Sequence, residues 1–159
     1  MSSIKTLLTS GAFGLVMLGS VAHADDLSAV RIFYDLLSDP GSAELTEAFL
    51  KNSKDTWESI GDYSGVNESR DAFVAQMSGF AQLIPDLNWS VQAMHQDGAF
   101  VTVRSRATGT PVAPLFGAGG QGQSFDIMTI DIHEIEDGKI ARSYHVEDWA
   151  GALRQLSSE

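Results

Sequence analysis

The chain has 159 residues, 21 acidic and 10 basic side chains, a formal net charge of -11 and no cysteine. The missing cysteine excludes disulfides, a thiol nucleophile and a lipid carried on a processed N-terminal cysteine. The acidic field repels phosphate backbones and anionic membrane surfaces, so nucleic acid is not an expected partner.

Lys5 precedes an uncharged run from Leu7 to Val21, and Ala22-His23-Ala24 forms a small-x-small pattern ahead of Asp25-Asp26. A positive end, a short apolar core and a small-residue site together predict a secretory signal peptide over residues 1–24. Residues 25–159 then form one mature domain, exported to the periplasm or secreted. The run is short for a stable membrane anchor, which needs roughly 20 apolar residues.

Leu27, Val30, Tyr34 and Leu37 recur at helical spacing until Asp39-Pro40-Gly41 stops the run. Ala43–Leu50 reads as a second short helix, Lys51–Val66 as a polar loop, and Ser69–Leu83 as a third helix ended by Pro85. Period two then takes over. Leu87, Trp89, Val91 and Ala93 alternate with polar residues, and Gln96-Asp97-Gly98 turns the chain into a strand over Ala99–Ala107. A glycine- and proline-rich loop covers Gly109–Gly122. Phe125–Ile135 and Ile140–Val146 form a hairpin across Asp137-Gly138, and Trp149–Leu156 closes as a helix. Helices first and strands afterwards predict an α+β domain, with helices on one face of a curved antiparallel sheet.

The ordered set Ile84-Pro85-Asp86-Leu87, Val101-x-Val103-Arg104, Gly109-Thr110, Phe116-Gly117 and Asp137-Gly138-Lys139-Ile140, with Tyr144 and Asp148, resembles one family. That family is the SnoaL-like polyketide cyclases of the nuclear transport factor 2-like superfamily. The ending His145-Val146-Glu147-Asp148-Trp149 with Arg154-Gln155-Leu156 is similar to its ester cyclase branch. The resemblance spans nearly the whole mature chain. It implies a cone-shaped antiparallel sheet wrapped around the N-terminal helices and an apolar pocket. It also implies an aspartate acid/base that works on a polyketide-like substrate without metal or cofactor. Tyr144, Arg142 and Pro111 stand where the family usually has tryptophan, glutamate and histidine, which puts the substrate in question more than the fold.

A two-residue turn at Asp137-Gly138 would pair His133 with Arg142 and Asp131 with Tyr144. Asp131, His133, Arg142, Tyr144 and Asp148 then share one face, expected to look into the cone, provided no bulge intervenes. A carboxylate in an apolar pocket loses hydration and gains basicity, which suits proton abstraction next to a carbonyl. Asp148, onto which the resemblance carries the family aspartate, is the first candidate; the N-cap of the last helix is its other reading. His133 serves as partner acid/base or as a hydrogen-bonded wall residue, and Asp131 steers it or satisfies a tyrosine hydroxyl. Tyr144 is placed to stabilise an enolate oxygen. His145 is kept as a second-rank candidate because a single bulge would swap the faces. Trp57 and Tyr63 fit a pocket mouth or plain packing, and Arg104 fits an anionic substrate group or a surface ion pair.

Gly117-Ala118-Gly119-Gly120-Gln121-Gly122 matches a dinucleotide fingerprint in letters, but a strand follows it and no βαβ unit surrounds it. His95, His133 and His145 lack metal-ligand spacing. Three readings follow from these residues. The first is a cofactor-free acid/base enzyme (cyclase, isomerase or hydrolase) acting on a small apolar carbonyl compound. The second is a binding protein using the same pocket for a small hydrophobic ligand. The third is an interaction domain, a homodimer through the outer face of its sheet.

Overall fold

The computed structural model describes residues 24–120 and 122–158. Apart from Ala24, the predicted signal peptide lies outside them. Helix α1 (Ala24–Ser38) buries Ala29, Val30, Phe33, Tyr34, Leu36 and Leu37, a stripe wide enough to face the core along its length. Helix α2 (Ala43–Asn52) starts on the Ser42 side chain, which accepts the Leu45 backbone N–H. Helix α3 (Arg70–Leu83) is capped in the same way by Ser69. Helix α4 (Trp149–Leu156) follows the last strand. No described helix is long and apolar enough to cross a membrane.

The strands are β1 (Ser53–Ile60), β2 (Glu68–Ser69), β3 (Asn88–Asp97), β4 (Phe100–Gly109), β5 (Phe125–Glu136) and β6 (Lys139–Glu147). They form one sheet in the order β2-β1-β6-β5-β4-β3. The α+β class is as expected, but the sheet is mixed, because β1 runs parallel to β6. That strand lies inside the stretch expected to be a loop. Its inward positions are Ser53, Trp57 and Ser59, so only one large apolar residue marks the buried face and the alternation is hard to read.

The β5–β6 hairpin turns where expected. Asp137 and Gly138 both have positive φ, 51° and 73°, as a two-residue hairpin turn of matching twist requires. Ile135 pairs with Ile140 as expected, and then a bulge breaks the register. Ala141 is the extra residue, so Glu134 pairs with Arg142, His133 with Ser143 and Asp131 with His145. Because strand side chains alternate, this one-residue slip turns Arg142 and Tyr144 outward and Ser143, His145 and Glu147 inward. The expectation that Arg142 and Tyr144 look into the cone is therefore corrected. Asp131 and His133 do face inward.

The core lies between α1 and the inner face of the sheet, where Phe33 contacts Phe49, Trp57 and Phe73. Next to this aromatic cluster the packing opens into a cavity.

Candidate active site

The cavity has a volume of about 360 Å³. Phe33 of α1, Phe73 and Phe80 of α3, Trp89 of β3 and Trp149 of α4 form much of its apolar wall. The polar wall comes from the ends of β1 and β6 and the middle of β5: Ser59, His145, Glu147 and Asp131, joined by Glu68 of β2 and Asp62. Among the described residues, no lysine or arginine lines it.

Asp131 and His145 are direct cross-strand neighbours, and both side chains enter the cavity wall. Each is held by a different partner. The Tyr34 hydroxyl donates to Asp131 Oδ2 at 2.7 Å. Ser59 Oγ lies 3.1 Å from His145 Nδ1. Gly61 makes room for the imidazole, since a Cβ there would lie 2.5 Å from His145 Nε2.

Burial raises the Asp131 carboxyl from an ordinary 3.8 to about 7. The Tyr34 hydrogen bond opposes that rise and the nearby Glu147 charge adds to it. Burial, and then the charge of Glu147, likewise raise Glu68. His133 is fully buried behind the cavity wall, and burial lowers it to about 3, helped by His145, so it is neutral near pH 7. Burial and the Asp131 charge hold the Tyr34 hydroxyl far above its usual range.

The structure thus brings together Asp131, His133 and His145 of the residues expected from sequence. Asp148 stands apart from the cavity: exposed, it accepts the Gly151 N–H at 2.8 Å as the N-cap of α4, the second of its two readings. Trp57 is 1% exposed and packs in the core, not at a mouth, with its indole N–H donating to Ser143 Oγ. Tyr63 projects fully into solvent. Arg104 and Tyr144 lie on the outer face of the sheet, because they alternate with inward Val103 and Ser143. Sequence reasoning missed Tyr34, Ser59, Ser143 and Glu147. Tyr34 was visible only as an apolar member of the α1 stripe. Glu147 is displayed by the same alternation that carries His145, once the bulge is known. Among the described residues, no group of three or more His, Asp or Glu stands close enough to hold a metal ion.

The profile of the SnoaL-like polyketide cyclase family matches residues 28–156. No curated protein matches the chain. Among solved structures, TsrD from Streptomyces laurentii is 20% identical, with a TM-score of 0.73 over 87% of this chain and 99% of that one. Wild-type IdmH from Streptomyces antibioticus is also 20% identical, at 0.71 over 86% and 100%. An NTF2-like protein of unknown function from Burkholderia pseudomallei K96243 is 13% identical, at 0.65 over 86% and 100%. At these identities the structures speak for the fold alone, while the profile covers almost every described element. The chain belongs to the SnoaL-like polyketide cyclase family and has the nuclear transport factor 2-like fold.

Proposed function

We propose that the protein is a cofactor-free acid/base enzyme acting on a small apolar carbonyl compound, with Asp131 as the base and His145 as the acid. The carrying observation is the pair itself: a carboxylate and an imidazole directly opposite on β5 and β6, in one cavity wall, each tethered elsewhere. Asp131 takes a proton from the carbon next to the carbonyl. His145 gives a hydrogen bond or a proton to the carbonyl oxygen, and the enolate so formed closes a ring or is reprotonated at carbon. A carboxyl whose midpoint is about 7 is matched to this work near neutrality. The cavity volume of about 360 Å³ suits one small molecule. With Asp62, Glu68, Asp131 and Glu147 in its wall and, among the described residues, no lysine or arginine, it favours a neutral or cationic compound over an anion.

The alternative is a protein that binds in the same cavity without chemistry. Asp131→Asn separates the two: an enzyme keeps ligand affinity and loses turnover, and unchanged turnover would refute the assignment. A further part of the proposal concerns the outer face, where Met128, Ile130, Ile132 and Val146 are exposed in neighbouring cross-strand positions. We propose that two copies pair through it, a separate property that leaves the cavity free. We also propose export directed by residues 1–24; an N-terminus at Asp25 in protein recovered from its compartment would support it, and an intact Met1 there would count against it.

A further inference from the structure

Behind the cavity wall runs a line of polar groups that the proposed chemistry does not use. Trp57 Nε1 donates to Ser143 Oγ at 3.1 Å, Ser143 Oγ lies 2.8 Å from His133 Nδ1, and His133 Nε2 lies 3.1 Å from the Tyr34 hydroxyl. Tyr34 ends the line on Asp131 Oδ2. We propose that His133 is a positioning residue for Asp131: its Nε2–H donates to the Tyr34 oxygen and so commits Tyr34's single proton to the Asp131 carboxylate. This deepens the acid/base reading and rests on it for its functional consequence.

Donor counting fixes the direction. Indole nitrogen can only donate, so the Ser143 oxygen is an acceptor at that end. An ionised carboxylate can only accept, so Tyr34 spends its proton there. The contact between Tyr34 and His133 Nε2 then needs its hydrogen from the imidazole. A neutral imidazole with Nε2–H has a bare Nδ1, which the Ser143 hydroxyl satisfies by donating. Every group in the line is matched.

The reverse arrangement is not. With the proton on Nδ1, a bare Nε2 would compete with Asp131 for the Tyr34 hydrogen. The Ser143 oxygen would receive two donors, and its own hydrogen would have no other side-chain partner among the described residues at a position 1% exposed. The ring cannot easily turn to escape, because it packs edge-on to Phe33 at 5.0 Å and to Tyr34 at 5.8 Å. Hydrogen bonds in such a low-dielectric chain polarise one another, so the donation to Tyr34 strengthens the next bond, the one to Asp131.

The groups that face Asp131 are Tyr34 from α1, His145 and Glu147 from β6, and Thr129 on its own strand, with Glu68 of β2 beside Glu147. His133 faces Tyr34, Ser143 and the charge of His145. Loss of the His133 donor weakens only the Tyr34 arm, so the protonated form of Asp131 gains.

The test needs no substrate, so its failure and that of the enzymatic reading are distinct. The nitrogen resonances of His133 and the carboxyl carbon of Asp131 are followed by NMR across pH in the wild type, His133→Leu and His133→Gln. The wild type is expected to show a protonated Nε2 and bare Nδ1 at about pH 8, where the Asp131 carboxyl, with its midpoint of about 7, is ionised. His133→Leu is expected to raise the proton affinity of Asp131 about three- to tenfold. His133→Gln, whose amide can donate to Tyr34 and accept from Ser143, restores it to within about twofold. A proton on Nδ1 in the wild type overturns the proposal. So does a folded His133→Leu variant that titrates like the wild type. If the leucine variant does not fold, the wild-type tautomer and the glutamine variant decide. Should the titrations behave as expected while Asp131→Asn keeps full turnover, the positioning stands and the acid/base reading falls.

Discussion

Asp131→Asn preserves the shape of the side chain, leaves Tyr34 an oxygen to donate to, and removes a buried charge. In an unfolded chain the carboxyl titrates near 3.8, while in the folded protein burial holds it at about 7. Between those values the native state keeps a proton that the unfolded chain has lost. Stability therefore falls as pH rises, by about 1.4 kcal/mol per pH unit. The whole window is worth about 4 kcal/mol, fully present below about pH 4 and lost by about pH 7. His133 works in the opposite sense. Its folded midpoint of about 3 lies below its ordinary 6.5, so its contribution is present above the unfolded value and lost as pH falls. In the wild type the two slopes oppose each other through the mildly acid range. Subtracting wild type from Asp131→Asn isolates the carboxyl. Urea unfolding at about pH 4.5 and pH 8 is expected to show the variant gaining on the wild type by at least 2 kcal/mol between the two conditions, about half of the full window. A difference that stays constant with pH, or shrinks as pH rises, would refute the reasoning that Asp131 carries an uncompensated charge at neutrality.

Three other outcomes follow from the geometry. Gly61→Ala places a Cβ against the His145 imidazole, so it should cost about 1–3 kcal/mol and lower kcat/KM at least tenfold; wild-type turnover would show that His145 is not needed where it stands. Asp148→Ala removes a helix cap and should cost about 1 kcal/mol in denaturant unfolding with turnover nearly unchanged, whereas a hundredfold loss would return Asp148 to the chemistry. Ile130→Glu on the outer face should convert a dimer to a folded monomer in sedimentation; a wild type that sediments as a monomer would remove the pairing proposal.

Much of the fold was legible because its signals are local. The α1 stripe, the switch to period two after Pro85 and the Asp137-Gly138 turn each declare themselves within a few residues. Strand β1 was hidden because its buried face is two serines and one tryptophan, and a parallel pairing with β6 leaves no turn between them to read. The site was half legible. Asp131 and His133 sit on β5, whose alternation needs no partner to interpret. The identity of the residues facing them depends on a single extra residue, Ala141, which no local preference marks as a bulge. That one slip separates an expected Asp131–Tyr144 pair from the observed Asp131–His145 pair. Tyr34 lies 97 residues from Asp131 in sequence, and nothing in the α1 pattern distinguishes its hydroxyl from the apolar stripe it belongs to.

The most direct test of the central claim follows hydrogen–deuterium exchange at the carbon next to the carbonyl. Small neutral ketones and esters are incubated in deuterated water, with the exchange read by NMR. The account predicts exchange above the uncatalysed rate that rises with pH through a midpoint of about 7, and its loss in Asp131→Asn. Exchange by Asp131→Asn at the wild-type rate, or a wild-type rate with no dependence on pH across that midpoint, would contradict it.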